Sequence, residues 1–397
     1  MWRLFGEFIL HSNSQTLSNI GNFLNEHGGV RGEARFPPKN EILKRCSLYI
    51  YKNMPGSITL YIGPTKAGKT TELLRLYYCH LTKEDDIAIV LHSSVANESF
   101  TKDTMKVIQT SKIEDIVTCQ LFQKSNVILI DNLQLFADCF ILNILANKMD
   151  KKFICAALDN DYQRTPFDNI IDIIPKCEYV YKLTALCSQL KDTTPAIFSM
   201  KSGDKYLPVS RNFITKNRGF LYVISGSMFS GKTTELIRIC KQYQSIDKNI
   251  LSVNYCNDRR YDAIGNICSH NQEVFQTMLS LADLRELLDQ PNLADFDVIM
   301  IDEVQFLKNA LETIKVLVED MGKIVITSGL DGDYLQQPFG DVCHLIAFAD
   351  KFTKLNAVCK LTKEDASFSK RIIASESKEY IGADEAYVAA SRLYLTN

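Results

Sequence analysis

The chain has 397 residues, a formal net charge of −2 and an apolar content of 46%, which suits two soluble globular domains. The absence of a basic surplus argues against a nucleic-acid partner gripped along its phosphates, and no apolar run is long enough to span a membrane. None of the twelve cysteines forms a C-x-x-C pair, so the thiols read as reduced, mostly buried residues of a cytoplasmic protein.

Residues 1–53 read as an N-terminal extension with no part in catalysis. MWRLFGEFIL is apolar, but Glu7 interrupts it and no small-residue cleavage site follows, which argues against a secretory signal. Glu7, Glu26 and Glu33 weigh against a transit peptide, and Ser12 to Asn40, with Gly28, Gly29, Pro37 and Pro38, reads as loose polar chain. Met54 begins a segment that is itself a natural domain start.

Next comes an apolar run, SITLYI, followed by GPTKAGKT (Gly63 to Thr70) and a helical pattern. The same order returns as FLYVIS followed by GSMFSGKT (Gly226 to Thr233). Both loops fit G-x-x-x-x-G-K-S/T. Glycines let backbone N–H groups close around phosphate oxygens, the lysine reaches the outer phosphates, and the hydroxyl after it suits Mg²⁺. Gly63, Gly68, Lys69 and Thr70 are thus candidate phosphate-binding residues in the first half. Gly226, Ser227, Met228, Phe229, Ser230, Gly231, Lys232, Thr233 and Thr234 are their counterparts in the second. One match could arise by chance, but two in a strand–loop–helix setting predict tandem ATP-type nucleotide binding.

The repeat continues. NVILIDNLQLF (Asn126 to Phe136) answers DVIMIDEVQFL (Asp297 to Leu307), and AALDNDYQRTPF answers SGLDGDYLQQPF. The predicted fold class is therefore α/β, with two tandem P-loop domains, mostly parallel sheets and helices on their faces. The boundaries fall at 54–215 and 216–397, with the linker around Phe213 to Gly219. An apolar strand ending in an acid is the expected partner of the loop, because its carboxylate orients Mg²⁺ across the site. Asp302 fills that role in the second half and Asp131 in the first. The following residue differs: Glu303 can accept a proton from an attacking hydroxyl, whereas Asn132 is neutral and cannot.

From Phe220 to Leu395 these motifs resemble the thymidine kinases of the cellular and large-virus, zinc-containing type. The blocks are GSMFSGKTTELIR, NDRRYD, IDEVQF, LDGDYLQQPFG, KLNAVC, SFSKR and EYIGADEAY. The first half resembles the same family in fewer blocks. The resemblance implies transfer of the γ-phosphate of ATP to the 5′-hydroxyl of thymidine or deoxyuridine, with Mg²⁺, and a small lobe whose lasso loop closes over the base. It further implies Glu303 as general base, and Thr233 with Asp302 at Mg²⁺. Asp258 and Arg260 would lie near ribose and phosphate. Met228, Phe306, Leu330, Tyr334 and Phe339 would wall the base pocket, although the apolar ones alone read as core. Ser369 would sit beside the thymine methyl position in place of the usual threonine. Tyr380, Ile381 and Gly382 would hydrogen-bond the base edge, with Tyr387 packed close by.

The chain departs from the family at the structural metal, where two C-x-x-C pairs are usual. Here Cys359 stands with Thr362, Ser391 and Tyr394, and Cys187 with Leu190, Ser210 and Phe213. One thiolate is not a tetrahedral site, so no structural metal is expected in either half. The first half has also lost the D-x-R block, carries Lys66 where an aromatic belongs, and has a shortened lasso. It reads as a degenerate, catalytically silent copy that keeps the means to bind ATP. Other readings stay open: a deoxynucleoside kinase of altered specificity, a nucleotide-binding regulatory scaffold, and, remotely, a helicase or motor ATPase. Whether the silent half replaces one copy in a homo-oligomer also stays open.

Overall fold

The computed structural model describes residues 56–81, 86–95, 100, 105–190, 193–215, 217, 219–256, 267–268, 274–373 and 386–396. All belong to a compact unit, Asn53–Asn397. The expected extension and its loose stretch, together with Asp258, Arg260, Tyr380, Ile381 and Gly382, lie outside the described residues.

The first half runs β1 (Ser57–Ile62), α1 (Lys69–Leu81), β2 (Ile87–His92), β3 (Val107–Thr110), β4 (Val127–Ile130), α2 (Ile141–Lys148), β5 (Lys152–Ala157), α3 (Asp168–Ile173) and β6 (Tyr179–Lys182). The second runs β7 (Phe220–Gly226), α4 (Lys232–Gln244), β8 (Ile250–Tyr255), β9 (Leu279–Leu281), β10 (Val298–Ile301), α5 (Ala310–Lys315), β11 (Ile324–Gly329), α6 (Val342–Phe348) and β12 (Lys351–Leu355). Each half forms a six-stranded sheet, in the orders β3-β2-β4-β5-β1-β6 and β9-β8-β10-β11-β7-β12. Every ladder in both sheets is parallel. Central strands VILI and VIMI are buried at every residue, as expected of a parallel sheet covered on both faces. The two sheets thus share one topology.

Gly63 follows β1 and Gly226 ends β7, at φ of 145° and 147°. A Cβ there would meet the carbonyl oxygens of Leu183 and Leu355 at 2.2 and 2.1 Å, so only glycine lets the loop turn beside the neighbouring strand.

The halves share one continuous apolar cluster, and their contact is nearly two-fold. Lys182 of β6 binds Asp159 of its own half at 2.8 Å and donates to the Ile346 and Ala347 carbonyls of α6 in the other half. Lys354 of β12 reciprocates, binding Asp331 at 2.7 Å and donating to the Ile174 and Cys177 carbonyls. Two arginines repeat the pattern. Buried Arg211 reaches Asp350 at 2.9 Å and lies 4.1 Å from the Phe348 ring centroid. Buried Arg392 forks onto Glu178 at 2.5 and 3.0 Å. The short helix Arg211–Thr215, which overlaps the start of the expected linker, is anchored to the second half through Arg211.

Candidate active site

The carboxyl ends of β7, β10 and β11 bring the second-half residues together. Gly231 precedes α4 at φ 85°, a left-handed corner with open space around it, so conformation alone calls for glycine. Lys232 is buried and folds back on its own loop, donating to the Ser227 carbonyl at 2.8 Å. Thr233 opens α4, and its hydroxyl donates to Asp302 Oδ2 at 3.1 Å.

Asp302 follows β10, and its other oxygen accepts from the Glu303 N–H at 3.0 Å and from the Ser328 hydroxyl. Burial first, and then the adjacent Glu303 carboxylate, push Asp302 above the usual carboxylate range; the Ser328 and Thr233 hydrogen bonds oppose this. Glu303 itself sits at a left-handed corner, φ 52°, and is buried. Gln305 holds it: Nε2 donates to Glu303 Oε2 at 2.5 Å while Oε1 accepts from the Leu330 N–H at 3.1 Å. Two buried carboxylates beside a hydroxyl make a hard, anionic oxygen set of the sort that suits Mg²⁺.

The predicted pocket residues fall into two groups. Met228, Leu330, Tyr334 and Tyr387 pack together with Phe229 and Ile373. Phe306 meets Phe339 edge-on at 5.3 Å and stacks on Tyr255 at 5.2 Å. Ser369 is buried, and its hydroxyl accepts from the Met228 N–H at 2.9 Å. Arg371 lies 3.9 Å from the Tyr334 ring centroid and donates to the Tyr387 hydroxyl at 3.2 and 2.7 Å.

The first half repeats the frame and changes the chemistry. Thr70 donates to Asp131 at 3.1 Å, and Lys69 donates to the Gly63 and Pro64 carbonyls at 2.9 and 2.6 Å. Gln134 donates to Asn132 at 3.3 Å and accepts from the Leu158 N–H at 3.0 Å, so the amide occupies the corner that Glu303 holds in the second half. Lys66 adopts the left-handed conformation of Phe229, at φ 59° against 64°. Ser199 accepts from Thr65 N–H as Ser369 does from Met228.

Cys359, Thr362, Ser391 and Tyr394 lie close together in the second half. Thr362 and Ser391 hydroxyls pair at 2.9 Å, and Tyr394 packs on the buried Cys359. In the first half the Ser210 N–H donates to Cys187 Sγ at 3.3 Å. Among the described residues, no group of three or more His, Cys, Asp or Glu is placed to hold a metal ion, and no helix is long and apolar enough to cross a membrane.

Sequence reasoning assigned no role to Ser328, Gln305, Arg371 or Tyr255. Aligning the two repeats offered a signal for the first: Ala156 stands where the second half has Ser328, the residue that binds the strand-end acid.

Two α/β halves of one architecture, each with a glycine-rich loop, a lysine and a strand-end aspartate at the carboxyl edge of its sheet, are consistent with a duplicated nucleotide-binding fold. The thymidine kinase family model matches residues 56–209 and again 219–395. The chain belongs to the thymidine kinase family, whose members are phosphotransferases. Among relatives, the thymidine kinase of sheeppox virus is 39% identical over 174 residues, 44% of this chain and 95% of its own length. That of Yaba monkey tumor virus is 39% identical over 175 residues, covering 44% and 93%. Thymidine kinase 1 of Dictyostelium discoideum is 37% identical over 182 residues, covering 45% and 78%. Each of these matches covers a little under half of this chain.

Proposed function

We propose that this chain is an ATP-dependent thymidine kinase whose second half transfers the γ-phosphate of ATP to the 5′-hydroxyl of thymidine or deoxyuridine. On this reading the first half is a degenerate copy that retains the parts for ATP phosphates and lacks the base. The observation that carries the assignment is the corner after the strand-end aspartate. It bears a buried Glu303 braced by Gln305 in one half and a neutral Asn132 on the same brace in the other.

The second half's own residues divide the work. Backbone N–H groups of Gly226 to Thr233 and the Lys232 ammonium bind and orient the triphosphate, the ammonium leaving the Ser227 carbonyl for a phosphate oxygen. Thr233 and Asp302 would hold Mg²⁺, which when bound supplies charge neutralisation on the phosphates. Glu303 accepts the proton of the 5′-hydroxyl as it attacks in line. Gln305 keeps that carboxylate turned toward the pocket while its other end fixes Leu330. Met228, Leu330, Tyr334 and Tyr387 exclude water around the base, and Phe306 and Phe339 close the adjoining wall. Asp258, Arg260, Tyr380, Ile381 and Gly382 complete the set by family resemblance. Both lobes are read as metal-free, closed by the Thr362–Ser391 pair and by Ser210 on Cys187.

Incubation with Mg-ATP and radiolabelled thymidine tests this directly. Thymidine monophosphate from the wild type and a loss of about 10²–10⁴-fold in kcat for Glu303→Gln are expected. Undiminished turnover in the variant would move the chemistry elsewhere. No product from the wild type, with ATP still bound, would favour a nucleotide-binding regulator. A second reading, a deoxynucleoside kinase of altered specificity, is favoured by Ser369, which stands where the family usually has threonine and whose hydroxyl accepts from the Met228 N–H. A nucleoside panel separates the two.

A further inference from the structure

The loop Leu330–Phe339 carries three of the pocket side chains, and the first half leans on its base at two places. Lys354 is almost wholly buried and spends its three N–H donors on the Asp331 carboxylate at 2.7 Å, the Cys177 carbonyl at 2.8 Å and the Ile174 carbonyl at 3.3 Å. It therefore ties the residue after Leu330 to the end of the segment behind α3. Between those two carbonyls stands Pro175, packed so tightly on the loop that a Cβ on Gly332 would meet its Cβ at 2.6 Å. Along the sheet the Lys354 backbone pairs with Ser225, the residue before the glycine-rich loop, while its side chain reaches the base of the Leu330–Phe339 loop.

We infer that the first half acts as a fixed positioning element for the nucleoside pocket of the second half, through Lys354 and the Pro175–Gly332 contact. This rests on the second-half assignment above. Lys354 is a positioning residue that sets where Leu330 and Tyr334 stand and touches no reacting atom. The symmetric lysine does the reverse service: Lys182 ties Asp159, beside Leu158 in the copy without a base, to α6. Of two look-alike contacts, only one therefore bears on turnover.

Steady-state kinetics and thymidine calorimetry on the full chain test this. Lys354→Met is expected to raise the KM and the Kd for thymidine about threefold to thirtyfold. Its KM for ATP should stay within about twofold of wild type, since a change confined to one substrate marks lost positioning of that substrate. Lys182→Met, which breaks the mirror contact, should leave both KM values alone. An unchanged thymidine KM in Lys354→Met overturns the inference. So does an equal rise in Lys182→Met, because that would mark general loosening between the halves. If Lys354→Met does not fold, Gly332→Ala pushes the same loop with the lysine intact. Its thymidine KM should rise and should be restored by adding Pro175→Gly; failure of that rescue also overturns the inference. A wild type that neither binds nor phosphorylates thymidine removes the second-half assignment itself, and this inference with it.

Discussion

The Thr233 hydroxyl donates to Asp302 at 3.1 Å across 69 residues of chain, and Thr70 repeats the contact with Asp131 at the same distance. Both halves thus bring the loop hydroxyl and the strand-end aspartate into register. They diverge in what surrounds the aspartate. Asp302 has Ser328 on its second oxygen and Glu303 beside it; Ala156 and Asn132 stand at those places in the first half.

Ser328 orients the carboxylate that would hold Mg²⁺, so it is an outer partner of that site. Ser328→Ala should raise the Mg²⁺ concentration needed for half-maximal turnover by about 10–100-fold, the usual cost of losing such a partner. A Mg²⁺ titration of thymidine phosphorylation measures it. An unchanged requirement would reduce Ser328 to packing.

Lys69 supplies a pH dependence. Burial holds its ammonium down to about 8, with Asp159 and Asp131 opposing that shift. In the unfolded chain a lysine titrates near 10.4, so between about pH 8 and 10 the folded chain binds fewer protons than the unfolded one. The cost of burying this charge is therefore fully present below about pH 8 and fades as pH rises toward 10. Relative to Lys69→Met, the wild type should gain stability between those values, read from urea midpoints. A constant difference would show that Lys69 is not buried as a charge.

Arg392 should matter more to folding than a surface arginine. It forks onto the buried Glu178 and also reaches Asn143 and Asn147, all in the other half. Arg392→Met leaves Glu178 buried without its partner, at a cost of about 3–5 kcal/mol. Denaturant unfolding of the two chains compares them. A loss under about 1 kcal/mol would place this pair with surface ion pairs.

The Thr362–Ser391 pair and the buried Cys359 predict that the purified chain carries no stoichiometric zinc. Its thermal midpoint should then be indifferent to a strong chelator, because a structural zinc contributes directly to folding. Metal analysis returning about one zinc per half would overturn that expectation.

Much of this was legible in the residues alone, for local physical reasons. A glycine-rich loop between a β run and a helix pattern is a contiguous signal, and so is an apolar strand ending in Asp302–Glu303. Repetition of both, in one order, sufficed for two α/β halves and for the contrast between Glu303 and Asn132. The lack of any C-x-x-C pair was visible too, because missing thiols need no structure to count.

What only the tertiary structure decided involves residues far apart in sequence that carry no motif. Lys182 and Lys354 look like ordinary strand-edge lysines, and Arg211 and Arg392 look like solvated charges. Burial against carbonyls of the opposite half makes them an interface, and burial depends on how the two sheets dock. The Ser369 hydroxyl accepts from the Met228 N–H, a contact between the hairpin that carries it and the glycine-rich loop that no local pattern announces. Sequence determines which groups are present and their local geometry; docking determines which of them lose water, and with it their charge balance and their partners.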